Sequence, residues 1–336
     1  MKRKSAFFLL LMVLFYTKAP LAFAERLASL PELIYPEGIN IDKGRIYINQ
    51  GVHIYIYSAT DYTLIKKFGK KGEGPGELTT GGYVYVQPDH IVVSGNEKLL
   101  YFTKDGNYIK EKRTMPAGTW LVPFENLFAA RKYMRGKDGK RHHGVMLLNS
   151  NLERIKIIYE HVHGFQGPKV PFNLLTIAPP EFVTCEDKLF MRSGDREKII
   201  VFNKQGEKLF ELTDKDERVK FTEKDKKEFA STIKNYESRK SMFVFPKYFP
   251  PFRWFYIDPV QKKIYIETET EEKGKRKWLV FDFRGKLIKK VMLPILSLDM
   301  KSWNFALHHT FYNGKNYRLV EDEEEEVWEL HTIDIK

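Results

Sequence analysis

Tyr57 to Lys66 reads YSATDYTLIK, Phe102 to Lys110 FTKDGNYIK, Leu148 to Lys156 LNSNLERIK, Phe202 to Phe210 FNKQGEKLF and Phe281 to Lys289 FDFRGKLIK. In each copy an apolar strand end runs into a polar turn, often with Gly, and leaves as a Leu/Ile strand with Lys beside it. That is how a β-hairpin reads. The first three copies recur about every 45 residues, a spacing that suits four-stranded propeller blades and not helical solenoids.

Working outward from the hairpins, short runs of alternating apolar and polar residues supply the other strands, for example Gly38-Ile39-Asn40-Ile41, Arg45-Ile46-Tyr47-Ile48 and His53-Ile54-Tyr55-Ile56-Tyr57. Four strands, a to d from the channel outward, fit most repeats. Blade one spans 38–68, blade two Gly82 to Met115, blade three Trp120 to Val162, blade four Leu174 to about Leu212 and blade five Trp254 to Leu293. The last repeat has three strands, in Asn304 to Tyr312, Tyr317 to Val320 and Val327 to Ile335. Arg26 to Leu33 is left to supply its outer strand and close the ring, because an unpaired strand edge is a liability. The expected fold class is therefore all-β, a six-bladed β-propeller whose N-terminal strand closes the last blade, with five or seven blades as the alternatives. Thr222 to Lys240 departs from the strand pattern, with Phe229, Ile233 and Tyr236 at helical spacing behind a Thr222/Asp225 capping pair. It is expected as a short surface helix within an insertion at about 214–247, between blades four and five.

Met1-Lys2-Arg3-Lys4, an apolar run from Ala6 to Tyr16 and Ala22-Phe23-Ala24 before Glu25 make a secretory signal peptide over residues 1–24. Ala22 and Ala24 are the cleavage residues, and residues 25–336 are then the propeller domain. The protein is expected to be exported, to the periplasm or the extracellular medium, and to keep no stable membrane span after cleavage, since Lys18 and Pro20 interrupt the apolar run. Losing the leader lowers the net charge from +12 to +8, an excess that favours anionic partners. No nucleic-acid motif accompanies it. Cys185 is alone, so an intramolecular disulfide is excluded and stability must come from burial.

Phe68-Gly69-Lys70-Lys71-Gly72-Glu73-Gly74-Pro75-Gly76-Glu77 resembles the FG-x-x-G-x-GPGE connector of NHL-type six-bladed propellers. Phe249-Pro250-Pro251-Phe252, Tyr256-Ile257-Asp258, Lys263-Ile264-Tyr265-Ile266 and Phe281-Asp282 are similar to late blades of exported bacterial six-bladed propellers of unassigned function. The intact GPGE connector is missing from blades three, four and six. The resemblance implies ligand binding on the face that carries the d-to-a connectors and the b-c hairpins, the channel mouth.

That face is expected to hold Arg135, Lys137, Lys140, Arg141, His142 and His143 on one b-c hairpin and Lys273, Lys275, Arg276 and Lys277 on the equivalent hairpin two blades later, with His161 and His163 at a strand end. The acidic run Glu321 to Glu326 falls there too. His161 and His163 point the same way on a strand, as zinc ligands can, but no third ligand is fixed by spacing, so no metal and no other cofactor is expected. Trp120, Trp254 and Trp303 begin inner strands and are expected to pack between blades. Asp42 and Asp258 read as turn residues, leaving Asn40, Glu125, Asn126 and Asn304 as the polar groups of the inner strands. No nucleophile elbow, HExxH helix or phosphate-cradling loop is present. The reading is an exported, non-enzymatic propeller that binds a protein or an anionic glycan or envelope component at its mouth. The alternative is a metal-assisted lyase or hydrolase with its site in the same place.

Overall fold

The computed structural model describes residues 24–335 except 96, 115–119, 168–169, 174, 176–178, 217 and 296–307. Residues 1–23 of the expected signal peptide, Ala22 among them, and the expected Trp303 and Asn304 positions lie outside the described residues.

Six four-stranded antiparallel sheets follow one another along the chain. β1 (Glu25–Leu30) comes first and belongs to the last sheet. Blade one is β2 (Gly38–Asp42), β3 (Arg45–Gln50), β4 (His53–Ser58) and β5 (Leu64–Phe68). Blade two is β6 (Tyr83–Val86), β7 (His90–Ser94), β8 (Lys98–Thr103) and β9 (Tyr108–Arg113). Blade three is β10 (Trp120–Phe124), β11 (Leu127–Arg135), β12 (Arg141–Leu148) and β13 (Arg154–Val162). Blade four is β14 (Glu181–Cys185), β15 (Lys188–Arg192), β16 (Ile199–Asn203) and β17 (Lys208–Leu212). Blade five is β18 (Phe252–Asp258), β19 (Lys263–Glu272), β20 (Lys275–Asp282) and β21 (Leu287–Pro294). β22 (His309–Tyr312), β23 (Lys315–Asp322) and β24 (Val327–Asp334) complete blade six.

The five copies of the hairpin phrase are the five c-d turns. In each, the first turn residue accepts backbone N–H groups on its side chain: Ser58, Thr103, Asn149, Asn203 and Asp282. Three residues on, Gly106, Gly206 and Gly285 take positive φ, as the αL position of this turn requires. A bulge follows in every copy, for instance between Tyr101 and Phe102 and between Val201 and Phe202.

The core lies between blades. One cluster joins blade six to blade one through Leu30, Leu319, Trp328 and Leu330 against Ile39, Ile46 and Tyr55. Comparable clusters fill each of the other interfaces. Central strands are buried on both faces and read as continuous apolar runs, such as Ile46 to Ile48 and Ile91 to Val93.

The ring closes as expected: β1 pairs antiparallel with β24, Leu30 opposite Trp328 and Ser29 opposite Glu329. Asp258 is a turn residue, fully buried, and its carboxylate accepts the backbone N–H groups of Val260, Gln261, Asn313 and Gly314 at 2.7 to 3.1 Å. It thereby ties the a-b turns of blades five and six together.

The first described strand of blade four begins at Glu181; the expected start at Leu174 lies outside the described residues, and Phe172 before it pairs with Phe243 of the insertion. The expected single helix is two: α1 (Glu223–Ser231), capped reciprocally by Thr222 and Asp225, and α2 (Tyr236–Arg239). Ser231 and Thr232 turn their hydroxyls onto the carbonyls of Glu228 and Phe229, and Asn235 adopts φ 59°, so the helix stops. Neither helix buries a residue. Among the described residues no helix is long and apolar enough to cross a membrane.

Candidate functional site at the channel mouth

Each strand a starts, and each strand b ends, at the mouth. There the sheets repeat one feature the sequence reading missed. The b-strand residue opposite the first positions of strand a is polar in every blade: Asn49 opposite Gly38, Ser94 opposite Tyr83, Arg131 opposite Trp120, Arg192 opposite Glu181, Glu267 opposite Trp254 and Arg318 opposite His309. All but Arg131 are below a tenth exposed. The signal was present in the first five blades as a polar residue after the apolar b-strand run, as in Leu189-Phe190-Met191-Arg192 and Ile264-Tyr265-Ile266-Glu267, whereas in blade six Arg318 stands before Leu319-Val320.

Several members of this ring reach a neighbouring blade. Arg131 donates to the Pro180 carbonyl at 3.0 Å and lies 4.4 Å above the Trp120 ring, which itself packs 5.2 Å from Phe182. Trp120 therefore does pack between blades. Arg192 sits 2.9 Å from the Glu181 carboxylate and 4.5 Å above Trp254. Arg318 donates to the Pro294 carbonyl at 2.8 Å. Beside it, Arg276 is held by Glu267 at 2.9 Å and Glu271 at 3.3 Å around a cavity of about 10 Å³, room for about one water. That corner is too small for a ligand.

Burial pulls Arg192 and Arg131 below the ordinary guanidinium range, with Glu181 opposing it in both. Arg196, in the turn after β15, is pulled down to about 10, first by burial and then by Arg192. Burial also opposes the charge on Arg253, but Glu269 at 2.8 Å and Glu267 more than compensate, so its affinity for the proton is raised.

The expected basic hairpins behave differently. On the β11–β12 hairpin, Arg135, Lys137, Lys140 and Arg141 are exposed, and none forms an ion pair with a described residue. Its one acid, Asp138, is engaged by His142 Nε2 and the Lys140 amide, each at 3.0 Å. On the β19–β20 hairpin, Arg276 is buried between its two glutamates, Lys277 is bound by Asp216 at 2.7 Å and Asp214 at 3.6 Å, and Lys273 faces Glu272 at 3.7 Å. Lys275 keeps its charge outside any described ion pair. The second hairpin is thus largely neutralised, because the insertion brings Asp214 and Asp216 against it.

His143, His161 and His163 meet between blades three and four. The His143 ring lies 4.7 Å from that of His163 and 4.4 Å from Tyr133, while His161 stacks on Tyr159 and abuts Gly194, where a side chain would collide with its ring. His142 points away, to Asp138 and Glu160. Burial, then His163, holds His143 down to about 3, and burial lowers His161. The His163 Nδ1 accepts the Phe165 amide at 3.1 Å. Among the described residues no three His, Cys, Asp or Glu side chains are grouped to hold a metal ion. On inner strand β2, Asn40 donates to the Val84 carbonyl, whereas Glu125 and Asn126, expected on an inner strand, lie in the turn between β10 and β11, where Glu125 takes φ 52° and pairs with Lys204. Burial raises the Cys185 thiol to about 11, so at neutral pH it carries little of the thiolate form that acts as a nucleophile.

No family model and no curated protein sequence matches the chain. Among solved structures it is similar to the Pan2 WD40 domain of Neurospora crassa (TM-score 0.44, 8% identity, 93% of this chain and 97% of that one). It is also similar to Hsv2 of Kluyveromyces lactis (TM-score 0.38, 10% identity, 90% and 99%). A third is BamB of Moraxella catarrhalis (TM-score 0.33, 10% identity, 87% and 71%).

Proposed function

We propose that the protein is an exported, non-enzymatic propeller, a diverged relative of NHL-type repeats, that binds an anionic protein or glycan of the cell envelope through its mouth. The observation that carries this is the β11–β12 hairpin: four exposed cations, Arg135, Lys137, Lys140 and Arg141, outside any described ion pair, with the single acid between them already engaged. Unpaired surface charge at a mouth raises the local concentration of an oppositely charged partner and speeds encounter. The export reading is supported by the basic, apolar, Ala-x-Ala leader and by the position of β1: cleavage after Ala24 leaves the closing strand whole.

The test is retention on immobilised polyglutamate and polygalacturonate at low and at moderate salt. Wild-type protein is expected to be held at low salt and released as salt rises, and the Lys140→Glu/Arg141→Glu variant to pass through with an unchanged melting temperature. Equal retention of the two proteins on both polymers overturns the reading.

A further inference from the structure

The two connectors that flank blade four join each other at the mouth. Phe172, between blades three and four, donates its amide to the Met242 carbonyl and accepts from the Val244 amide, both at 2.9 Å, so the insertion is tied back to the connector on the other side of blade four. A row of aromatic rings runs through this junction. The Arg141 guanidinium lies 5.7 Å over Phe165, Phe165 packs 5.2 Å from Phe172, Phe172 5.3 Å from Phe243, and Phe243 5.8 Å from Tyr236 of α2. Gln166 fixes the near end, accepting from the Arg141 amide at 2.8 Å and donating to the Arg141 carbonyl at 2.9 Å. The basic hairpin and the insertion are therefore continuous, at most about 22 Å apart from Arg141 to Tyr236, the reach of roughly six or seven extended residues.

Core packing does not account for this arrangement. Neither α1 nor α2 buries a residue, and among the described residues none of the insertion enters an interblade cluster. A segment that adds nothing to the core and is still held in a fixed place presents a preformed surface, which lowers the cost of binding. Its side chains change character along the row. At the hairpin end, Tyr133, Arg135 and Arg141 share one sheet face with His143 and His161, while His142 and Glu160 occupy the other. The four cations of the hairpin meet two acids there: Asp138, engaged by His142, and Asp195 of blade four, which faces His161 and accepts from the Ser193 hydroxyl and the Glu197 amide. Beside the Phe172 junction, Val170 and Val244 are 45% and 51% exposed. At the far end, Ala230, Ile233 and Tyr236 line an open cavity of about 560 Å³ between α1 and α2, where Lys226 and Glu237 are already paired with Glu223 and Lys240.

We propose that this row binds an extended polypeptide segment that is acidic at one end and carries a large apolar side chain at the other, the acids against the β11–β12 hairpin and the apolar side chain in the cavity between α1 and α2. This deepens the mouth-binding reading above and rests on it. Four cations against two carboxylates select a negatively charged end. A cavity lined by Ala230, Ile233 and Tyr236 selects an apolar one. A glycan fits the row less well, because the Tyr236 ring is stacked on Phe243 with 12° between their planes, which covers one of its faces, and the two exposed valines offer sugar hydroxyls nothing to bond.

The experiment selects a random heptapeptide library on the immobilised protein and then measures the enriched peptides by fluorescence anisotropy. Enriched peptides are expected to hold Asp or Glu at one end and Leu, Ile, Phe or Tyr at the other. Three variants are compared with wild type: Val244→Glu, the replacement of residues 223–239 by a Gly-Ser linker, and Lys140→Glu/Arg141→Glu. Each is expected to bind about tenfold or more weakly while melting within a few degrees of wild type, and the last to flatten the salt dependence as well. Val244→Glu changes one exposed side chain and keeps the test valid if the linker variant folds poorly. No enrichment, or enriched peptides that bind Val244→Glu and the linker variant as tightly as wild type, would overturn the proposal. If those peptides are acidic throughout and still require Lys140 and Arg141, the extended row falls and the mouth-binding reading stands. Apolar peptides indifferent to Lys140 and Arg141, together with polyglutamate retention that ignores the same two residues, remove both.

Discussion

His143 is 1% exposed, neither ring nitrogen is hydrogen-bonded to a described residue, and it faces Arg131, His161 and His163. In the unfolded chain this ring takes up a proton below its ordinary value of 6.5, whereas in the folded protein it stays neutral down to about 3. The unfolded state therefore binds more protons in that window, and stability is undiminished above it and falls as pH drops through it. The slope from this one group is up to about 1.4 kcal/mol per pH unit. A His143→Phe variant lacks that liability, so its stability relative to wild type should improve by about 2 kcal/mol between pH 7.5 and pH 4.5. Urea unfolding at the two pH values measures it, and a gap that does not change with pH would show that the ring is hydrated in the folded state. The same residue marks a limit of sequence reading. His142 and His143 are neighbours on a strand, so their side chains leave opposite faces, but which of the two turns inward depends on strand register, and that follows from the blade as a whole.

At the scale of elements, the c-d hairpins were legible because their chemistry is local: a side-chain acceptor opens the turn and a Gly relieves the αL position, as in Asn203 and Gly206. The GPGE connector is equally local, with the Glu77 carboxylate folding back onto the Gly74 amide at 3.0 Å and paired with Lys70 at 2.5 Å. The charged ring at the mouth was not legible, since Arg192 meets Glu181 only once strands β14 and β15 pair in register, and Trp254 only when blades four and five are side by side. For the same reason the neutralisation of Lys277 by Asp214 and Asp216, 61 or more residues away in sequence, escaped the spacing argument. The insertion was recognised as helical from its cap, yet its single-helix reading ran past Thr232 and Asn235, where local side-chain bonds outcompete the helix. Because α1 and α2 bury no residue, replacing residues 223–239 by a short Gly-Ser linker is expected to cost no more than about 1 kcal/mol, a few degrees in melting temperature. Loss of cooperative unfolding in that variant would mean that Phe229 and Tyr236, which touch Phe245 and Phe243, matter far more to the connector than their exposure implies.

For the whole molecule the decisive contact is the one between its two ends. Each blade interface has its own apolar cluster, and a ring of such interfaces is stable only when the last sheet is complete, because an open blade six would expose the β24 edge and uncover one side of its cluster. β1 supplies that edge. Leu30 is 1% exposed within the cluster shared by blades six and one, Arg26 pairs with Glu329 at 2.8 Å, and the Trp328 indole donates to the Ile34 carbonyl at 2.9 Å. No disulfide can substitute for the closure, Cys185 being the one cysteine of the chain. Truncating Leu30 alone, as Leu30→Ala, is expected to cost about 2 to 5 kcal/mol by the usual cost of emptying a well-packed site. Deleting residues 25–33 removes that side chain together with the ladder to β24, and is expected to abolish a single cooperative transition, whereas the insertion deletion keeps it. Differential scanning calorimetry of the three variants side by side makes the comparison. A deletion variant that melts in one sharp transition at the wild-type temperature would mean that blade six closes without β1, and that the two ends of the chain are joined for a reason other than stability.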